Sequence, residues 1–172
     1  MENYLNDATK PRGIRNNNPG NLRRLGAKAG VPQLWNGEIP YAQSKDASFS
    51  QFSEMKFGVR AMMKDIYGDY NRGLKTVQSL IGNYAPPNEN NTIAYIANVA
   101  KNLGTAATTV FELTEESMLI LCKAIVAVEN GASAASYVSD KDYTDGLALA
   151  KLGLKKKILS CKCCGQALPS QV

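Results

Sequence analysis

The hydrophobic pattern of this chain changes period near residue 54, and that change restricts the folds open to it. Residues 12 to 53 are rich in Gly, Asn, Pro and Ser, with only short apolar pieces such as "LW", "IPY" and "SFSQF". They read as loops with one or two short strands. Beyond them Val59, Met62, Met63, Ile66, Tyr67 and Tyr70 recur at helical spacing, and Gly73 can end that helix. Thr76 starts a shorter helix carrying Val77, Leu80 and Ile81, stopped by "YAPP" because proline cannot continue it. "NNTIAYIANVAKNLG" predicts a third, with Ile93, Ile96 and Leu103 on one side and Gly104 closing it. Thr114 caps "EESMLILCKAIVAVENG", whose first turn holds two glutamates where the helix dipole favours them. A last helix is expected from Ser139 to Leu152. The expected fold is α+β: a mostly helical domain with a small loop-and-strand lobe beside about five helices.

The chain has 172 residues, enough for one domain with a real core. Residues 1–11 read as a flexible arm, 12–153 as the domain, and 154–172 as a basic, Cys-containing tail. No apolar run approaches the roughly 18 residues needed to cross a bilayer, so no integral membrane segment is expected. The start, "MENYLNDATKPRG", lacks a basic segment followed by an apolar one, which argues against a signal peptide. Net charge is +5 and suits a polyanion. No aromatic interleaves the basic runs, however, and no nucleic-acid motif is readable, so nucleic acid is not the expected partner.

The chain contains no histidine, which removes Ser-His and Cys-His catalysis and the commonest zinc ligand together. Any catalysis would fall to carboxylates, tyrosine, or backbone and amide dipoles. Three of the four cysteines crowd into "SCKCCG" at residues 160 to 165, without the partner pair a structural zinc site needs. No metal and no cofactor is expected. Cys122 lies in an apolar stretch and reads as a small core residue.

Among the acids, Glu129 stands out. Met118, Cys122, Ile125 and Glu129 are spaced four, three and four, so they share one helix face. Three are apolar, which points the glutamate toward the core or a cleft wall, and Asn130-Gly131 is the expected helix end. Burial and the negative end of the dipole both disfavour the ionised form, as a general acid requires. A glutamate reaching out to solvent at a frayed end fits the same spacing. Asp46, Glu38, Glu54 and Glu89 are explained equally well by turn, loop or first-turn roles.

"RGIRNNNPGNLRR", residues 12 to 24, could be a solvated linker or a loop that grips a polar ligand through amides. "RGIRNNNPGNLR", "WNG", "SFSQFSEMKFGVRAMM", "YAPPNENNTIAYIANVAKNLG" and "AIVAVENG" together resemble a family of phage and prophage lysozyme-like proteins, in the same order over residues 12 to 145. Members include virion structural proteins and peptidoglycan hydrolases. The motifs are also similar, in circularly permuted order, to bacterial glucosaminidases and lytic transglycosylases, in which the glutamate helix comes first.

This resemblance implies a peptidoglycan hydrolase of lysozyme or muramidase type that cleaves the β-1,4 glycan backbone. Glu129 would be the general acid and Asp46 the second carboxylate. Asn16, Asn17, Asn18, Asn21, Arg15, Tyr84 and Glu89 would line the substrate groove, with the asparagines within about 10 Å of Glu129. A lytic transglycosylase or glucosaminidase on the same substrate, or a non-catalytic virion or cell-wall-binding module, fits the same resemblance. The expected partners are peptidoglycan glycan strands, with the protein a monomer that an immunity protein or virion proteins could accompany. It would be made in the cytoplasm and act in the periplasm or at the cell wall, phage-encoded or delivered by a secretion system.

Overall fold

The computed structural model describes residues 3–24, 35–87 and 91–156. Six helices follow in chain order: α1 (Arg12–Arg15), α2 (Met55–Asn71), α3 (Val77–Tyr84), α4 (Thr92–Leu103), α5 (Glu115–Asn130) and α6 (Asp140–Ala150). Single 3₁₀ turns lie at Tyr41–Gln43 and Ala134–Tyr137. The domain is mostly helical. Among the described residues the strand component is reduced to isolated bridges, two of which, Arg23 with Phe49 and Glu38 with Phe52, build the small lobe before α2.

The helix starts follow from their caps. Thr76, Thr114 and Ser139 each accept from the backbone N–H three residues on and are answered by the side chain there, satisfying donors that a helix end leaves open. Such a cap contributes about 1 kcal/mol. Gly104 closes α4 in the left-handed conformation that favours glycine. The short α1 was not expected: it lies inside the asparagine-rich stretch, where no apolar period marks it.

The core gathers Val59, Met62, Met63 and Ile66 of α2, Leu80 and Ile81 of α3, Val99 of α4, and Met118, Leu121, Cys122 and Ile125 of α5. Two helix glycines permit close approach. A Cβ on Gly146 of α6 would sit 2.7 Å from Val59 Cγ1, and one on Gly58 of α2 would collide with the Asn17 backbone carbonyl. The second contact seats the asparagine loop directly on α2.

Helix α4 is rotated from the expected face. Thr92, Tyr95 and Val99 point inward, while Ile93 is 83% exposed. The Thr92 hydroxyl donates to the Ala85 carbonyl at 2.6 Å, fixing the rotation at the first turn. Burial of Tyr95 and Val99 on the inward face, together with this hydrogen bond, outweighs the apolar content of one isoleucine.

Both ends differ from expectation. Residues 3–11 are held against the domain: the Asn3 amide donates to the Ser53 carbonyl at 3.0 Å, and Asn6 N–H to the Arg15 carbonyl at 2.7 Å. Tyr4 packs edge-on to Tyr137, with Lys10 over the Tyr137 ring at 4.1 Å. At the other end Leu152 is buried and Lys155 bridges to Thr114, so the ordered fold passes residue 153. The "SCKCCG" segment lies outside the described residues.

Candidate active site

Glu129 lies in the last turn of α5, half-buried, on the face carrying the buried Met118, Cys122 and Ile125. Each carboxyl oxygen has a partner. The Tyr95 hydroxyl donates to Oε1 at 3.1 Å and the Asn21 amide to Oε2 at 2.9 Å. A phenol both donates and accepts, so Tyr95 can orient the Glu129 carboxyl in either protonation state. Burial, followed by the nearness of Glu129, pushes the Tyr95 hydroxyl far above the usual phenol range, leaving it a fixed proton holder.

The asparagine loop is brought to Glu129 by the neighbouring residue. The Asn130 amide donates to the Pro19 carbonyl at 2.7 Å, tying the end of α5 to the turn before Asn21. Asn21 itself is left-handed, with φ of 48°, a conformation asparagine tolerates better than most residues. Gly13 makes room, since a Cβ there would strike Asn130 Oδ1 and lie 2.9 Å from Asn21 Oδ1.

The four asparagines separate in role. Asn16, Asn17 and Asn18 are buried at 2%, 0% and 0% exposure, so they are not positioned to touch a sugar. Asn16 donates to Asp46 at 2.8 Å, Asn17 to the Phe52 carbonyl at 3.0 Å, and Asn18 to the Leu22 and Ser50 carbonyls at 2.9 Å each. These bonds fasten the loop to the small lobe, as short polar side chains commonly do. Asn21 alone of the four lines the cleft.

That cleft has a volume of about 460 Å³. Trp35, Phe49 and Tyr84 give it aromatic walls, and Arg12, Arg23 and Arg72 give it positive charge. The guanidinium carbons of Arg12 and Arg23 lie 4.2 and 5.1 Å from the Phe49 ring centre. Stacked in this way, the arginines keep a fixed orientation beside the cleft. The Tyr84 hydroxyl donates to the Gly20 carbonyl, and burial raises its proton release well above the phenol range. It braces the turn between Pro19 and Asn21.

Other expected site residues fall elsewhere. Asp46 is buried at 7% exposure outside the cleft lining, its carboxylate taken up by the Arg12 guanidinium at 2.7 and 2.8 Å. Burial alone would push its carboxyl up. Arg12, the Asn16 amide and the Ser48 and Phe49 backbone N–H groups together overcome this and hold it well below the usual range. It is a structural anion of the lobe, which argues against its role as the second carboxylate. Arg15 reaches back to the Lys10 carbonyl at 3.4 Å and is not among the cleft residues. Glu38 is buried against Arg24 and Ser50, and Glu89 lies outside the described residues.

Three residues around the site, Tyr95, Asp65 and Asp69, do not stand out in the sequence. Tyr95 was hidden by the isoleucines flanking it on α4. Asp65 and Asp69 stand four apart on α2, a like-charge spacing that weakens a helix, and both line the cleft. An unfavourable local pair of this kind is itself a signal of another use.

The chain is 32% identical over 136 residues to Protein P5 of Pseudoalteromonas phage PM2, covering 77% of this chain and 78% of that protein. The chain belongs to the P5 family. No family model matches it. The P5 name states a phage origin and no activity, so the chemistry of this P5 relative rests on its cleft. Among the described residues no helix is long and apolar enough to cross a membrane.

Proposed function

We propose that this P5-family protein adopts a lysozyme-like arrangement and is a peptidoglycan hydrolase that cleaves the β-1,4 glycan backbone, with Glu129 as general acid. One observation carries the reading: the carboxyl group of Glu129 ends a helix inside a cleft, each oxygen held by a side chain from a different part of the chain. The two bonds set the orientation of the carboxyl group before substrate arrives and stabilise the carboxylate left when its proton is given up. The cleft around it suits a glycan strand. Aromatic faces pack on sugar rings, amides bond hydroxyl and N-acetyl groups, and arginines attract the carboxylates that peptidoglycan carries. A relative encoded by a phage supports a role at the host cell wall, in the periplasm or on the virion.

Purified cell walls, followed by loss of turbidity, test the reading. Glu129→Gln keeps the shape and removes the proton donor, so the protein should fold while clearing falls by about 10² to 10⁴-fold. Clearing at the wild-type rate would move the acid's role away from Glu129. A folded wild-type protein that binds walls without cutting them would make the cleft a binding site, since a fold does not dictate an activity.

A further inference from the structure

If Glu129 protonates the leaving oxygen while water attacks in the same step, that water needs a separate base, and Asp46 is committed to Arg12. Three acids line the cleft: Asp65, Asp69 and Glu129. Asp69 is occupied, paired with Arg72 and accepting from the Asn83 amide at 2.8 Å. Asp65 is half-buried in the same wall, and among the described residues no donor bonds its carboxylate.

Helix geometry puts Asp65 on the stripe that faces the site. Met62, Asp65 and Asp69 are spaced three and four along α2, hence on one face. Met62 and Tyr84 both meet Gly20, the residue before Asn21: a Cβ added to Gly20 would lie 2.8 Å from Met62 Sδ and would strike the Tyr84 hydroxyl. Asp65 is therefore one turn along α2 from the point where the helix supports the loop that holds Glu129. The Tyr84 hydroxyl is close enough to feel both Glu129 and Asp65 as negative neighbours. The two carboxyl groups share the cleft without bonding to each other.

We propose that Asp65 is the general base of the reaction proposed above, activating a water molecule for attack on the anomeric carbon from the face opposite the leaving oxygen. The inference rests on that reading and names the partner it lacks. In the step, Glu129 gives its proton to the glycosidic oxygen as the bond from that oxygen to C1 breaks. Water forms the new bond to C1 and loses a proton to the Asp65 carboxylate. One water is consumed, the anomeric configuration inverts, and exchange with solvent returns each carboxyl to its starting state. Burial pushes the Asp65 carboxyl above the usual aspartate range, the like charge of Asp69 adds to this, and Arg72 opposes it. The net direction makes Asp65 a stronger proton acceptor than a free aspartate. The titratable or charged groups around it are Asp69 and Arg72 on α2 and its C-cap, Tyr84 on α3 and Glu129 on α5.

Three measurements test this on the full chain, with soluble β-1,4 glycan chains prepared from purified peptidoglycan. In the first, NMR and mass spectrometry of the first wild-type products should give a hydrated reducing end of inverted configuration. A retained configuration, or an anhydro sugar lighter by one water, overturns the role of Asp65. In the second, Asp65→Asn should fold, lower kcat by about 10² to 10⁴-fold with little change in KM, and lose the acidic limb of the pH profile. In the third, azide should restore cleavage to Asp65→Ala and yield a glycosyl azide of inverted configuration, because the small anion needs no base. A folded Asp65→Ala that azide leaves inactive overturns the proposal. Should Asp65→Asn remain active while Glu129→Gln is dead, Asp65 loses its role and the Glu129 reading stands. A wild-type protein that cuts nothing removes both.

Discussion

The Asn21 amide bonds the Glu129 carboxylate at 2.9 Å, joining residues 108 positions apart. The same amide nitrogen lies 3.4 Å from the Glu129 backbone carbonyl, at the open C-terminal end of α5. One side chain thus orients the carboxyl group and satisfies part of the helix end that carries it.

Asn21→Ala should therefore act on turnover more than on binding. A hydrogen bond to a charged group is worth about 1.5–3 kcal/mol, so kcat on soluble glycan should fall by roughly 10- to 100-fold. A rise in KM at constant kcat would instead make Asn21 a substrate contact.

Tyr95→Phe keeps the ring of a fully enclosed side chain and deletes the hydroxyl that meets Glu129 Oε1. The melting temperature should change by only a few degrees, as for removal of one hydrogen bond worth about 1 kcal/mol. The rate of wall clearing should fall by about tenfold or more. Unchanged clearing would show that Asn21 alone suffices to hold the carboxyl group.

Asp46→Asn should destabilise the lobe by about 2–3 kcal/mol, a figure reduced from that of a fully buried pair because the Arg12 side chain is 44% exposed. Asp46 also sets a pH dependence. Its folded pKa lies below the unfolded value of about 3.9, so acidification favours the unfolded chain, which binds the proton more readily. The contribution is present above about pH 4 and is lost as the pH falls toward the folded value. Urea melts between pH 2 and 6 should show that loss in the wild type and much less of it in the variant.

Gly58→Ala should be costly although alanine favours helix. The added methyl would enter the space of the Asn17 backbone carbonyl, which cannot rotate away as a side chain could. Overpacking of this kind costs about 1–3 kcal/mol. The loop should shift with it, so clearing should fall together with the melting temperature. A variant as stable as the wild type would mean that the loop is not seated on α2.

By itself, the sequence determined the helices after residue 54, their caps at Thr76, Thr114 and Ser139, and the end of α5 at Asn130, with Glu129 in its last turn. Each of these depends on residues within one or two turns, where spacing and end chemistry act directly. The asparagine loop stands out in the sequence as a candidate cleft loop, but which asparagine meets the cleft is not legible there. Asn16, Asn17, Asn18 and Asn21 offer the same amide, and only the packing of the loop against α2 and the lobe decides that three turn inward and one outward. Asp46 and Asp65 are the same case among the acids. The sequence offers Asp46 as a second carboxylate or a turn residue and leaves Asp65 unmarked, and their fates differ because Arg12 folds onto one while the other faces an open cleft. Tertiary structure alone made those choices, because burial and partnership arise between segments dozens of residues apart.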